Sequence, residues 1–216
     1  MTYLQLVNAV LRRLREKERT AVNETTYSTL IGDLVNDAKE EVENAWDWSA
    51  LRTTLTANTV AGIFSYSLTN SQNKFKMIQA INETSQAEMK YVDATWMTKQ
   101  HIAATPQSGD PIYYSFNGVD GNGDTIVDVY PIPDATYIIR FNGILRNTDT
   151  LVNDTDVLWV PSQPVILLAW AKAIEERGED AGVMSSSAYI TAQRSLADAV
   201  SLDAIKHPEE TIWRAV

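Results

Sequence analysis

Few side chains in this chain could support catalysis. Among its 216 residues there are two histidines, His101 and His207, and no cysteine. The lack of cysteine excludes a disulfide framework, a thiol nucleophile and a thiolate-bound metal. A Ser-His-Asp hydrolase would depend on one of the two histidines, and no serine stands in the Gly-x-Ser-x-Gly context of a nucleophile elbow. We therefore predict that both histidines lie at the surface or at helix ends.

One short motif resembles a metal-binding loop. Residues 120–124, Asp-Gly-Asn-Gly-Asp, carry oxygen ligands at alternate positions, as the start of an EF-hand loop does. The match then fails, because Thr125 stands where the sharp turn needs glycine and Pro131 stands where a bidentate glutamate belongs. The same five residues suit a tight hairpin turn. We predict a turn here, and no metal site.

Adjacent acidic residues are the remaining candidates for acid–base chemistry. They occur at Glu40-Glu41, Glu175-Glu176 and Glu209-Glu210, and a glycoside hydrolase needs two carboxylates. Each pair fits a solvated helix face or a tail better. The chain has no phosphate-binding glycine loop and no zinc-protease signature. We predict no catalytic residues, no cofactor and no enzymatic activity.

The charge balance restricts the partners. Lys and Arg number 18 against 28 Asp and Glu, which gives a formal charge of −10. An acidic protein is a poor candidate for binding nucleic acid by its phosphates. The longest apolar run, 165–171, is far short of the ~20 residues that span a bilayer. Apolar residues precede the basic ones at the N-terminus, opposite to a signal peptide, so we expect folding in a cytoplasm and no membrane contact.

Two amphipathic helices are predicted at the N-terminal end. Apolar residues repeat at helical spacing from Tyr3 onward and predict a helix over 2–19. The second half of this helix, RRLREKER, is either a solvated helix end or a binding patch. Thr25 or Thr26 can cap the second helix, which has one apolar face and ends near Trp46.

From residue 51 the sequence becomes rich in Thr, Val, Ile, Tyr and Phe, in short runs separated by turn residues. These runs predict about seven strands of a small antiparallel sandwich or barrel, at 52–59, 63–68, 75–81, 89–92, 112–116, 126–130 and 137–145. The last two are predicted to form a hairpin, because Pro131, Pro133 and Asp134 between them are turn residues. Asp93 can cap a short helix over 94–102.

Two more helices are predicted near the C-terminal end. The apolar run from Val165 to Ile174 predicts a helix with Ser162 as its cap and Gly178 at its end. A last helix is predicted over 181–206, before Pro208. Its predicted inner face consists of Met184, Ala188, Ala192, Leu196, Ala199, Val200 and Leu202.

The predicted fold class is α+β, with two domains and a tail. Residues 1–50 and 157–206 form a helical domain like a four-helix bundle, and residues 51–156 form the β-rich insert. Residues 207–216 form a tail that contains Trp and Arg, the residue types that dominate interface hot spots. The tail either docks on another chain or folds back on its own helices.

The order of these elements and three motifs resemble the head-to-tail adaptor (connector) proteins of short-tailed bacteriophages, also called tail tubular proteins. The motifs are Tyr-Pro-Ile-Pro-Asp at 130–134, Pro-Ser-Gln-Pro at 161–164 and Glu-Arg-Gly-Glu-Asp at 176–180. The resemblance extends over nearly the whole chain.

This resemblance implies a structural protein of the virion neck, assembled in the host cytoplasm. Such adaptors form a dodecameric ring under the portal protein, prolong the DNA channel and carry the tail nozzle and fibre proteins. The resemblance makes five tail residues portal-contact candidates, namely Pro208, Ile212, Trp213, Arg214 and Val216. An acidic channel wall repels phosphates, so DNA would pass without specific binding.

Two other classes of function stay open on the sequence alone. One is a tail-associated enzyme such as a glycan hydrolase. The other is a carbohydrate- or calcium-binding module on the β-rich insert. A stable monomer that binds or cleaves glycans would distinguish either from a ring-forming adaptor.

Overall fold

A computed structural model describes residues 1–71, 74–146, 149–178 and 183–206. Over these residues the chain forms five α-helices and two four-stranded sheets, which confirms the α+β class. The chain separates into two compact units. The helical unit holds Met1–Leu51 together with the chain from Asp149 onwards, and the β unit holds Arg52–Thr148.

Four helices form the helical unit, and the remaining one, α3 (Ala94–Ile102), lies in the β unit. They are α1 (Tyr3–Arg13), α2 (Thr26–Ala45), α4 (Ser162–Arg177) and α5 (Val183–Ala204). Helix α4 contacts the other three. Its buried residues are Pro164, Val165, Ile166, Leu167, Leu168, Ala169, Ala171 and Ala173. A helix that is apolar on nearly every side is a core helix, so α4 is the centre of this unit.

Local capping groups set most of the helix ends. The Thr25 hydroxyl accepts from the Ser28 backbone N–H at 3.1 Å, which confirms Thr25 as the cap of α2. Gly178 ends α4 with φ of 64°, a left-handed conformation that glycine adopts without steric cost. Ser162, predicted as the cap of α4, is instead its first residue, and Pro161 stands at the cap position without a side-chain bond.

Helix α1 is shorter than predicted, because it ends at Arg13 and not at Arg19. Arg15 has φ of 59°, so the chain turns away from the helix axis there. Asn8 then holds the returning chain, since its side chain accepts from the Arg19 N–H at 2.8 Å and donates to the Arg19 carbonyl at 2.9 Å. The run RRLREKER is therefore a helix end followed by a turn.

The polar loop 149–156, which is predicted to belong to the β-rich insert, is bonded to the helices of this unit. The backbone N–H of Tyr3 donates to the Asp156 carbonyl at 2.8 Å. The Asn36 side chain makes both possible bonds to Leu151, at 3.1 and 2.9 Å. These bonds satisfy backbone groups of the loop that would otherwise need water.

The β unit consists of two sheets in which every pair of strands is antiparallel except β5–β6. The first sheet has the order β1 (Arg52–Asn58), β8 (Ile138–Leu145), β3 (Phe75–Asn82), β4 (Ala87–Glu88). The second has the order β2 (Ser65–Ser67), β7 (Thr125–Tyr130), β6 (Tyr113–Val119), β5 (Lys90–Tyr91). The sheets do not close on each other, so the barrel alternative is wrong.

One apolar core lies between the two sheets. The first sheet contributes Ala57, Ala80, Ile139 and Phe141, and the second contributes Tyr114, Val127 and Val129. Tyr114 and Phe141 meet edge to face, with ring centroids 6.3 Å apart. This arrangement is that of a small sandwich.

The predicted hairpin of 126–130 and 137–145 is wrong, although both strands exist. Strand β7 pairs with β2 and β6, whereas β8 pairs with β1 and β3. The chain leaves the second sheet at the cis peptide bond before Pro131. It joins the first sheet at Tyr137, whose N–H donates to the Thr59 hydroxyl at 2.8 Å. Alternation along a strand predicts the strand and not its partner.

The end of α5 is fixed by a buried carboxylate. Asp203 accepts from the N–H and the hydroxyl of Ser49, at 2.9 and 2.6 Å, and from Lys206 Nζ at 3.1 Å. Burial raises the pKa of Asp203, but these bonds outweigh it and lower the pKa to about 2. Because the pKa is lower in the folded state, the charged form stabilises the fold above about pH 4, and this stabilisation is lost as the pH falls towards 2.

We expect Asp203→Asn to lower the free energy of unfolding by about 2 kcal/mol at pH 7. The difference from the wild type should shrink to about half by pH 3, since the unfolded state is then largely protonated. Urea unfolding followed by tryptophan fluorescence measures both values. Asp198→Asn, on the exposed side of the same helix, is the matched control, and a pH-independent difference would contradict the assignment.

Candidate interaction surfaces

The described histidine has a packing role. His101 lies on α3 with Nε2 at 3.2 Å from the Val129 carbonyl oxygen, and its ring centroid is 4.0 Å from that of Phe64. These contacts attach α3 to the outer face of the second sheet. His207 lies outside the described residues.

The loop 120–124 is a tight turn between β6 and β7. Asp120 Oδ1 accepts from the N–H groups of Asn122 and Asp124, at 2.8 and 3.0 Å, and Oδ2 accepts from the Ser67 hydroxyl at 2.6 Å. The Ser67 hydroxyl and these N–H groups hold the pKa of Asp120 below its ordinary value. Across the described ranges, no three His, Asp or Glu residues are grouped so that they could hold a metal ion.

Calcium titration into the protein should give no heat of binding. Both carboxylate oxygens of Asp120 already accept hydrogen bonds that shape the turn, so a cation would have to displace them. Isothermal titration calorimetry measures this, with an EF-hand protein in the same buffer as the positive control. A saturable heat that Asp120→Asn abolishes would overturn the interpretation as a turn.

One glutamate of each acidic pair within the described residues connects two helices. Lys172 Nζ on α4 lies 2.6 Å from Glu41 on α2. The Tyr189 hydroxyl on α5 donates to Glu175 on α4 at 2.8 Å. Glu209 and Glu210 lie outside the described residues.

A groove with an apolar floor and a basic rim lies at the C-terminal end of α1. We call it the arginine groove; its volume is about 560 Å³, and it is lined by Arg13, Leu14, Arg15, Trp170, Ile174, Arg177 and Met184. Leu14, Trp170 and Ile174 are half-buried, whereas Met184 is 54% exposed. An apolar surface of this kind that is open to water is typical of a contact site for another chain.

The arginines of the rim differ in how far they are engaged. Arg177 donates to the Tyr27 hydroxyl and to Glu16, both at 2.8 Å, so it supports the fold. Arg13 is exposed and donates to the Ala9 carbonyl at 3.0 Å. Arg15 is exposed, and no carboxylate in the described ranges forms an ion pair with it. Two guanidinium groups, those of Arg13 and Arg15, can therefore meet an acidic partner.

A second, acidic surface lies on α2. Leu30, Asp33, Leu34 and Asp37 follow one another at positions i, i+3, i+4 and i+7, which share one helix face. We call this the α2 stripe. Its leucines are half-buried and its aspartates are exposed.

Asp33 lines two surface depressions. One is lined by Tyr3, Asp33, Asp37 and residues 150–154 among others, and the other by residues from Asn23 to Asp33. Burial raises the pKa of Tyr3 to about 12, and the negative charge of Asp33 acts in the same direction. The α2 stripe therefore has a negative potential and room beside its carboxylates.

The arginine groove was not predicted, because its residues come from three helices and from the turn after α1. Met184 and Leu202, predicted on the inner face of the last helix, are 54% and 68% exposed, while Ala188 and Ala192 are buried as predicted. The sequence signal that could have indicated the groove is the run RRLREKER. A binding patch was one of the two interpretations of this run. The portal-contact candidates Pro208, Ile212, Trp213, Arg214 and Val216 lie outside the described residues, so their role stays a prediction.

None of the helices in the described part of the chain combines the length and the apolarity needed to cross a membrane.

Comparison with known families gives one match. A family model described as SU10 adaptor protein matches residues 1–209. The matched range includes the β unit, most of the helical unit and Pro208, whereas the other four portal-contact candidates follow it. No curated protein matches the chain.

Proposed function

The chain belongs to the SU10 adaptor protein family and is thus a structural bacteriophage protein, a component of the virion; from this we propose that it is a ring-forming head-to-tail adaptor. The observation that carries the proposal is the family match, which extends over both units. In this role the protein works by contact with neighbouring proteins and carries out no catalysis.

The proposed ring joins the portal protein to the tail nozzle, with tail fibre proteins as further partners. The resemblance implies that the ring is a dodecamer and that the phage is of the short-tailed type. The portal contact is assigned to Pro208, Ile212, Trp213, Arg214 and Val216. Trp and Arg are the residue types that contribute most to protein interfaces, and the segment contains both.

DNA passes through the proposed ring without specific binding. The formal charge of −10 per chain supports this, because carboxylates repel the phosphates of DNA. A wall with few cations offers DNA no strong binding points as it slides. This requires part of the excess acid to face the channel.

Sedimentation velocity with and without the portal protein of the same phage tests the proposal. We expect the chain to join a large ring complex when portal protein is present. An unrelated ring-shaped protein of similar size serves as the control for non-specific association. A chain that sediments alone at every portal concentration would contradict the proposed function.

A further inference from the structure

We propose that the arginine groove of one copy receives the α2 stripe of the next copy. The contact would join neighbouring subunits through two different surfaces of the helical unit. This inference rests on the proposed ring and identifies the residues that hold it together. The contact involves Arg13, Arg15 and Met184 of one copy and the α2 stripe of the next.

The groove favours an incoming helix with apolar and acidic residues on one face. Its floor offers Leu14, Trp170, Ile174 and the exposed Met184, and its rim offers Arg13 and Arg15. An amphipathic helix binds such a groove with residues at i, i+3, i+4 and i+7. Arginine pairs with a carboxylate through two parallel hydrogen bonds, which fixes the register of the contact.

The α2 stripe has this pattern. Leu30 and Leu34 can pack on the apolar floor, while Asp33 and Asp37 meet the arginines of the rim. The two depressions lined by Asp33 leave space for a guanidinium group beside its carboxylate. Both the apolar and the charged residues of the stripe therefore have counterparts in the groove.

Geometry assigns the occupant to a second copy. The groove lies at the Arg13 end of α1, and one depression beside Asp33 lies at the Tyr3 end. The first turn of α2 also lies beside the groove, since the groove-lining Arg177 donates to the Tyr27 hydroxyl at 2.8 Å. In its own copy α2 packs on α1 and α4, so it cannot enter the groove of the same chain.

Two different surfaces give a heterologous contact. Such a contact repeats from subunit to subunit and closes into a ring when the rotation allows it. The two surfaces carry opposite charges. The groove of one copy therefore attracts the α2 stripe of the next, whereas two stripes repel each other. The arrangement is the one that a ring of identical subunits requires.

Charge reversal tests this contact. The measured quantity is the assembly of the chain on the portal protein, determined by sedimentation velocity. Arg13→Glu with Arg15→Glu, and separately Asp33→Arg with Asp37→Arg, should each weaken assembly tenfold or more, about the effect of losing close charge pairs. A one-to-one mixture of the two variants should assemble within about twofold of the wild type, because each acidic groove then meets a basic stripe. Lys90→Glu with Lys99→Glu, on exposed positions of the β unit, is the matched control.

Cross-linking provides a measurement that does not depend on the charges. The chain has no cysteine, so Met184→Cys on the floor of the groove combined with Leu34→Cys, a stripe residue that packs on that floor, is a clean pair. Under oxidation on the portal, the double variant should give a ladder of multimers, while either single variant should stay monomeric on a denaturing gel. Circular dichroism confirms that each variant is folded.

The outcomes separate this inference from the proposed function. If the wild type assembles on the portal and both charge-reversed variants assemble equally well, this contact is wrong and the adaptor function stands. If the double cysteine variant forms no ladder on a portal that binds it, the contact is wrong as well. If the wild type does not assemble at all, both proposals fail.

Discussion

Deletion of residues 208–216 should weaken binding to the portal protein about a hundredfold or more, the effect of removing an interface hot spot. The segment contains Ile212, Trp213 and Arg214, and tryptophan and arginine are the types that alanine scans most often identify. The helical unit should stay folded, because the bonds between Asp203 and Ser49 that fix the end of α5 precede the deletion.

Biolayer interferometry on immobilised portal protein measures this loss, and circular dichroism checks the fold. Trp213→Ala should account for most of the effect, and Thr211→Ala is the matched control within the same segment. Portal binding that is the same with and without residues 208–216 would reject the assignment of the tail.

A second large effect, on stability, is expected from a glycine substitution in the β unit. Gly143 on β8 lies opposite Met77, where the register between β3 and β8 shifts. A Cβ atom at this position would lie 2.5 Å from the Lys76 carbonyl oxygen and against the Phe75 ring. Since backbone atoms cannot move aside without breaking the strand pairing, Gly143→Ala should lower the free energy of unfolding by about 3 kcal/mol, the upper range for overpacked sites.

Urea unfolding followed by far-ultraviolet circular dichroism tests this prediction. Gly121→Ala is the matched control, because a Cβ there meets no atom within 4 Å. A variant at Gly143 that unfolds like the control would show that the β3–β8 register is not the one described.

Local signals in the sequence predicted local structure. The Thr25 cap of α2 and the left-handed Gly178 at the end of α4 follow from interactions with the nearest few residues. The strands of the β unit also follow from short runs of apolar and β-branched residues. Such features depend little on the rest of the chain, so sequence alone suffices for them.

Features that depend on distant residues were missed. The strands before and after Pro131 and Pro133 belong to different sheets because Thr59, far away in the sequence, bonds Tyr137. Helix α1 ends early because Asn8 holds Arg19 after the turn at Arg15. Neither contact leaves a periodic signal in the sequence.

The candidate surfaces also differ in whether local sequence or distant residues define them. The tail stands out in the sequence through its Trp and Arg, and we propose the portal protein as its partner. The arginine groove becomes visible when α1, α4 and α5 are assembled, since Leu14, Trp170 and Met184 are far apart along the chain. The α2 stripe has a clear sequence pattern, but one of the depressions beside it requires the loop 149–156.

We propose that this chain acts as a ring of subunits at the phage neck. Electron microscopy of assembled phage particles, with a gold-binding label on the N-terminus of the chain, shows where it lies. We expect a ring of label centred on the portal axis, between capsid and nozzle. Label at the tail tip or at scattered single positions on the particle would rule out this role.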